Sequence, residues 1–125
     1  MKSKVLIVDD EPDFLELVAD VLEAYGMVTL PCKNAEEALI AWVENSDEVA
    51  LVITDANMPG LNGFQFANEI HAADASVPLL VVSGMSEKEF SRQYNPQFPY
   101  LFFAKPLDFD KLVEIVKAQV TASAA

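Results

Sequence analysis

Val49-Ala50-Leu51-Val52-Ile53-Thr54-Asp55 reads VALVITD, a run of strand length with no polar alternation that ends in an acid. A strand apolar on both sides must be covered on both faces, which is the situation of a parallel sheet sandwiched between helices. Working outward, Lys4–Asp9 (KVLIVD), Val77–Ser83 (VPLLVVS) and Tyr100–Ala104 (YLFFA) are runs of the same kind, and Met27–Cys32 is a weaker one. The segments between them carry helical spacing. Phe14, Leu15, Leu17, Val18, Val21, Leu22 and Tyr25 form one apolar stripe, closed by Gly26. Asn34 with Glu37 three residues on reads as a capping box opening a helix through Trp42. A turn rich in Pro59, Gly60, Asn62 and Gly63 leads into a helix with Phe64, Ala67 and Ile70. Asp108 caps a last helix with Leu112, Val113, Ile115, Val116 and Val120. Alternating strands and helices in this order predict an α/β fold with a mostly parallel sheet and helices on both faces.

The stretch Ser86–Pro99 (SEKEFSRQYNPQFP) stands apart. Its helical portion offers only Phe90 and Tyr94 as apolar anchors, and Pro96 and Pro99 forbid helix beyond about Asn95. The expectation is a short, weakly anchored fourth helix followed by an irregular loop over Pro96–Pro99.

With 125 residues, 52% of them hydrophobic and 22% charged, the chain has the size and balance of one globular domain. Residues 1–121 are expected to form it, with 122–125 a frayed terminus or the start of a linker. No apolar run approaches the roughly 18–20 residues that span a bilayer. Lys4–Asp9 is too short for a signal peptide, so a cytoplasmic location is expected. The 20 acids outnumber 8 bases and give a net charge of −12. Neither nucleic acid nor an anionic membrane is an expected direct partner of so acidic a surface. Cys32 is the single cysteine, which excludes an internal disulfide; it reads as a small buried hydrophobe.

The chemistry gathers at strand ends. Asp9 and Asp10 close the first strand, Asp55 the third, Ser83 the fourth, and Lys105 follows the fifth. In a parallel sheet all carboxyl ends lie along one edge, where open α/β folds place their ligand sites. Carboxylates gathered in a partly desolvated crevice repel unless one is protonated or a cation joins them. An all-oxygen site suits a hard ion, and few protein ligands suit Mg2+. Beside Lys105, and with the Ser83 hydroxyl as a donor, such a crevice can receive a phosphoryl group. Asp55 is the candidate nucleophile, since carboxylates form acyl phosphates.

In Val8-Asp9-Asp10-Glu11-Pro12, Asp55-Ala56-Asn57-Met58-Pro59 with Gly63, Ser83-Gly84 and Lys105-Pro106, the sequence resembles the receiver domains of bacterial two-component response regulators over essentially its whole length. The resemblance implies a flavodoxin-like, doubly wound, five-stranded sheet of order 2-1-3-4-5 with five helices. It also implies a phosphorylation-dependent signalling switch, in which Asp55 takes a phosphoryl group from a phosphohistidine of a sensor kinase or phosphotransfer protein. Asp10, Asp55 and the Asn57 backbone carbonyl would ligate Mg2+, with Asp9 acting through a bound water. Ser83 would swing toward the phosphoryl group, Phe102 would turn inward with it, and Lys105 would pair with it. Lys105-Pro106 would be cis. A downstream effector and a phosphorylation-dependent dimer belong to the same expectation.

Other readings compete for these residues. The same acids fit a small magnesium phosphohydrolase, although 125 residues leave little chain for a cap. A flavin binder of the same topology would want glycines and hydroxyls after the first strand, where Asp9-Asp10-Glu11 would repel phosphate. An adaptor that keeps the fold without phosphorylation is the remaining alternative. Without a turnover substrate, the switch is not expected to be an enzyme. Gly63 is expected to serve a turn with positive φ, His71 to be a surface residue, and Trp42 to be packing.

Overall fold

The computed structural model describes residues 2–56 and 62–124. Asn57, and with it the proposed carbonyl ligand, lies outside the described residues. The elements run β1 (Lys4–Val8), α1 (Pro12–Ala24), β2 (Val28–Cys32), α2 (Ala35–Asn45), β3 (Val49–Asp55), α3 (Gly63–Ala73), β4 (Leu79–Ser83), α4 (Glu87–Tyr94), β5 (Leu101–Ala104) and α5 (Phe109–Ala124). All pairings are parallel and the order is β2-β1-β3-β4-β5. The expected doubly wound fold is the observed one.

The two-period of the strands sorts each into opposite cores. Val5 and Ile7 of β1, Leu51 and Ile53 of β3, and Leu80 and Val82 of β4 pack with Val18 and Leu22 of α1 and Leu112 and Val116 of α5. Leu6, Val8, Val52 and Leu79 face the other way, onto Ala38 and Trp42 of α2 and Phe66 and Ile70 of α3. Trp42 is therefore packing, as read. Pro31 lies within β2, tolerated because β2 is an edge strand. Gly26 has φ 85°, which suits the chain reversal after α1.

Helix ends follow local chemistry. The Asn34 side chain accepts from the Glu37 N–H at 2.8 Å, the N-cap half of the expected box, while the Glu37 carboxylate pairs with Lys33 at 3.8 Å. Asp108 accepts from the Lys111 N–H at 3.2 Å at the head of α5. Asn62 and Gln65 form a full capping box at α3 that the sequence reading passed over.

The fourth helix is short, but its anchoring differs from the expectation. Ser86 caps it by accepting from the Glu89 N–H, and Asn95 ends it in the left-handed region at φ 45°. Phe90 is fully buried. Its ring lies 5.3 Å from Tyr100, 5.6 Å from Phe102 and 5.3 Å from Tyr94, while Tyr94 stacks on Phe64 at 4.9 Å. Phe98, from the loop after the helix, is buried against Phe64 at 5.7 Å and His71 at 5.9 Å. The helix carries few apolar residues of its own, yet other elements deliver rings to meet them. His71 is accordingly half-buried rather than a plain surface residue.

Candidate functional site

The sheet register delivers the expected residues to one edge. Asp55 and Ser83 are the last residues of β3 and β4, while Asp9 and Lys105 lie just beyond β1 and β5. Backbone bonds continue the sheet past its formal end: Asp9 N–H donates to Cys32 O, Ala56 N–H to Val82 O and Lys105 N–H to Ser83 O, at 3.1, 2.9 and 2.8 Å. The crevice is therefore built on ordered backbone rather than on free loops. The Lys105-Pro106 bond is cis, as the resemblance implies.

Lys105 Nζ sits among three carboxylates: 2.8 Å from Glu11 Oε1, 3.3 Å from Asp9 Oδ2 and 3.6 Å from Asp55 Oδ2. Oxygens of Asp9, Glu11 and Asp55 all lie within 4.8 Å of one another. Glu11 was not among the residues read as candidates. Asp10, which was, is exposed and is not one of these three. The chain is still extended at Glu11 (φ −91°, ψ 106°), and successive side chains of an extended chain face opposite ways. That geometry favours positions 9 and 11 sharing a side. The sequence signals for Glu11 were its two-residue offset from Asp9 and its place in the Val8–Pro12 stretch that carries the resemblance.

Burial governs the electrostatics. Desolvation raises the Asp9 carboxyl above its ordinary range, against the lowering effects of the Glu11 N–H and Lys105. Burial alone would pull the Lys105 ammonium down; Glu11, Asp55 and Asp9 together reverse this and raise it. Both Asp9 oxygens are engaged, Oδ1 by the Glu11 N–H at 2.9 Å and Oδ2 by Lys105.

Ser83 is fully buried, and its Oγ accepts from the Met85 N–H at 3.1 Å. Phe102 is half-buried and packs with Phe90 in the cluster that also holds Ala56, Val81 and Met85. This ties the residue after Asp55 to the aromatic patch under α4. Gly63 does not have positive φ, contrary to expectation. A Cβ at this position would collide with the Asp55 carbonyl oxygen, so glycine lets the head of α3 approach the end of β3. The Thr54 hydroxyl donates to that same carbonyl at 3.0 Å. The donor set of the cluster is all oxygen, which fits a hard divalent cation, and its buried acid gains from one. Among the described residues, no helix is long and apolar enough to cross a membrane.

The sequence model of the response regulator receiver domain family matches residues 5–117. The C4-dicarboxylate transport transcriptional regulatory protein DctD of Rhizobium meliloti is 31% identical over 110 residues, covering 88% of this chain and 24% of DctD. Sporulation initiation phosphotransferase F of Bacillus subtilis is 28% identical over 118 residues, or 94% of this chain and 93% of that protein. Among solved structures, the response regulator TrrA of Thermotoga maritima, in complex with Mg2+-BeF, aligns with a TM-score of 0.77 and 31% identity over 95% of this chain and 99% of TrrA. The chain spans about a quarter of the length of the DctD relatives it matches, 24% and 25%.

Proposed function

The chain belongs to the response regulator receiver domain family, and from that premise we propose that it is a phosphorylation-dependent switch whose phosphoacceptor is Asp55. The observation that carries the assignment is the convergence of Asp9, Asp55 and Lys105 from three separate strand ends, with Nζ 3.6 Å from Asp55 Oδ2.

In this reading an Asp55 carboxylate oxygen attacks the phosphorus of a phosphohistidine. The new P–O bond forms as the P–N bond breaks, and the imidazole leaves with the bonding pair. The donor is a sensor histidine kinase or a phosphotransfer protein. Lys105 pairs with the transferred phosphoryl oxygens, and the Ser83 hydroxyl leaves Met85 to donate to one of them. Phe102 follows Ser83 and reshapes the aromatic cluster against which α4 rests. Phosphorylation thereby biases a two-state element that an effector, or a second copy of the domain, reads.

Magnesium fits the acidic crevice, where it would neutralise charge across the phosphoryl oxygens. Asp10 and Asp55 would hold it through their side chains and Asn57 through its carbonyl, with Asp9 acting through a water. The engagement of both Asp9 oxygens by protein donors supports the indirect role. Asp10 is exposed, so ligation costs it little desolvation. The Mg2+-BeF complex of TrrA supports the same chemistry here. The receiver unit takes in residues 1–121 and, because α5 continues to Ala124 instead of fraying after 121, the last turn of that helix as well. It works in the cytoplasm. With no turnover substrate it is a switch rather than an enzyme. Its net charge of −12 leaves contact with nucleic acid to other parts of an output pathway.

Incubation with acetyl phosphate and Mg2+, followed by intact-mass measurement, tests the assignment. One added phosphoryl group is expected in the wild type, with none in Asp55→Asn or in the presence of chelator. Uptake by Asp55→Asn would move the phosphoacceptor elsewhere.

A further inference from the structure

Glu11 occupies the position that opens α1. Ser, Thr, Asp and Asn are favoured there because a short side-chain oxygen can accept an N–H of the first turn. The Glu11 side chain makes no such bond. Pro12, next in the chain, has no N–H to satisfy, which lowers the need for one. The Glu11 carboxylate instead reaches across to Lys105 at 2.8 Å, while its backbone N–H donates to Asp9 at 2.9 Å. The lysine ammonium also lies 4.4 Å from the centre of the Phe14 ring, one turn along α1. Of the three carboxylates around Nζ, the shortest bond belongs to the most exposed: side-chain exposure is 64% for Glu11 against 3% for Asp9 and 9% for Asp55.

We propose that Glu11 is a positioning residue for the phosphorylation reaction, holding the Lys105 ammonium off Asp55 until a cation and a phosphoryl group enter the crevice. The inference rests on the reading of Asp55 as phosphoacceptor. An ammonium within reach of both Asp9 and Asp55 competes with a divalent cation for the same negative charge. Drawing it toward α1 keeps the ammonium 3.6 Å from Asp55 Oδ2, nearer to Glu11 than to the charge the ion would share. A water-exposed ion pair is also a weak hold, so incoming phosphoryl oxygens, which carry more charge than one carboxylate, can take the lysine over. Glu11 thus acts on the ion through Lys105, not as its ligand.

A double-mutant cycle separates these roles. Mg2+ affinity is measured by calorimetry on the wild type, Glu11→Gln, Lys105→Met and the double variant. Glu11→Gln is expected to weaken Mg2+ binding about fivefold when Lys105 is present, and by less than about twofold in the Lys105→Met background. An equal loss in both backgrounds would make Glu11 a direct charge partner of the ion, and no loss in either would leave it without a role; both overturn the proposal. A crystal structure of metal-free Glu11→Gln gives a second readout. Nζ is expected to close from 3.6 Å to hydrogen-bond distance of Asp55 Oδ2, and an unmoved ammonium overturns the inference even if no Mg2+ binding is detected. Phosphoryl uptake from acetyl phosphate is followed by mass in the same samples. A wild type that takes up none defeats the Asp55 assignment, while the lysine position still decides the role of Glu11.

Discussion

The acidic crevice and the aromatic cluster under α4 are neighbours, joined at Ala56 and Phe102, yet they are held together in opposite ways. In the crevice, like charges are brought close and partly dried; burial raises the Asp9 carboxyl, against the opposing pull of the Glu11 N–H and Lys105. In the cluster, Phe64, Phe90, Tyr94, Phe98, Tyr100 and Phe102 bury large apolar rings with favourable tilted and edge contacts. Chemistry is placed where the fold gains least, next to a region where it gains much. A signal passing from one to the other must move through tightly packed rings.

Phe90→Ala should have the largest effect. Removing this fully buried ring should cost about 3–5 kcal/mol in urea unfolding while leaving Mg2+ affinity within about twofold. A comparable loss of Mg2+ binding would show that the two regions are one unit. Gly63→Ala should come next, costing about 1–3 kcal/mol because its methyl meets the Asp55 carbonyl. Unlike the first variant, it should also disturb Mg2+ binding, since the strain falls on Asp55.

Asp9→Asn should have the opposite sign. A carboxyl whose folded pKa is raised binds its proton more tightly in the folded state, so stability falls as pH rises from the ordinary Asp value of 3.8 through the raised one. The metal-free variant should therefore be more stable than wild type at neutral pH, with the gain vanishing below pH 3.8. A gain that persists in acid would assign the effect to something other than the charge. The smallest effect is expected from Ser86→Ala, about 0.5–1 kcal/mol, read as faster amide exchange confined to α4. Exchange as fast throughout wild-type α4 as at its ends would deny the anchoring role of Phe90.

What the sequence disclosed divides along the same line. Strand ends were legible because VALVITD and its companions are apolar runs that stop on, or one residue before, the polar groups that meet in the crevice. A parallel sheet then leaves one edge for all of them. Glu11 was illegible because periodicity says which residues are extended or helical, but not that a glutamate at a helix start will forgo capping to reach a lysine 94 residues away. Gly63 was recognised as a backbone requirement for the wrong reason, since a positive dihedral leaves a turn signature whereas a close approach between α3 and β3 leaves none. The anchoring of α4 was missed because its partners are scattered from Phe64 to Phe102, and no local window contains them.

Cys32 has a practical consequence. It is the sole cysteine, it is buried, and desolvation followed by the nearby Glu37 pushes its thiol up to about 11. At neutral pH only about one molecule in ten thousand carries the thiolate at any moment, and that thiolate is shielded. A cysteine introduced at an exposed site on α4, such as Lys88, should therefore take a maleimide dye selectively without removal of the native one. The protein comes ready for site-specific labelling, and movement of α4 can be followed optically in an otherwise unaltered chain.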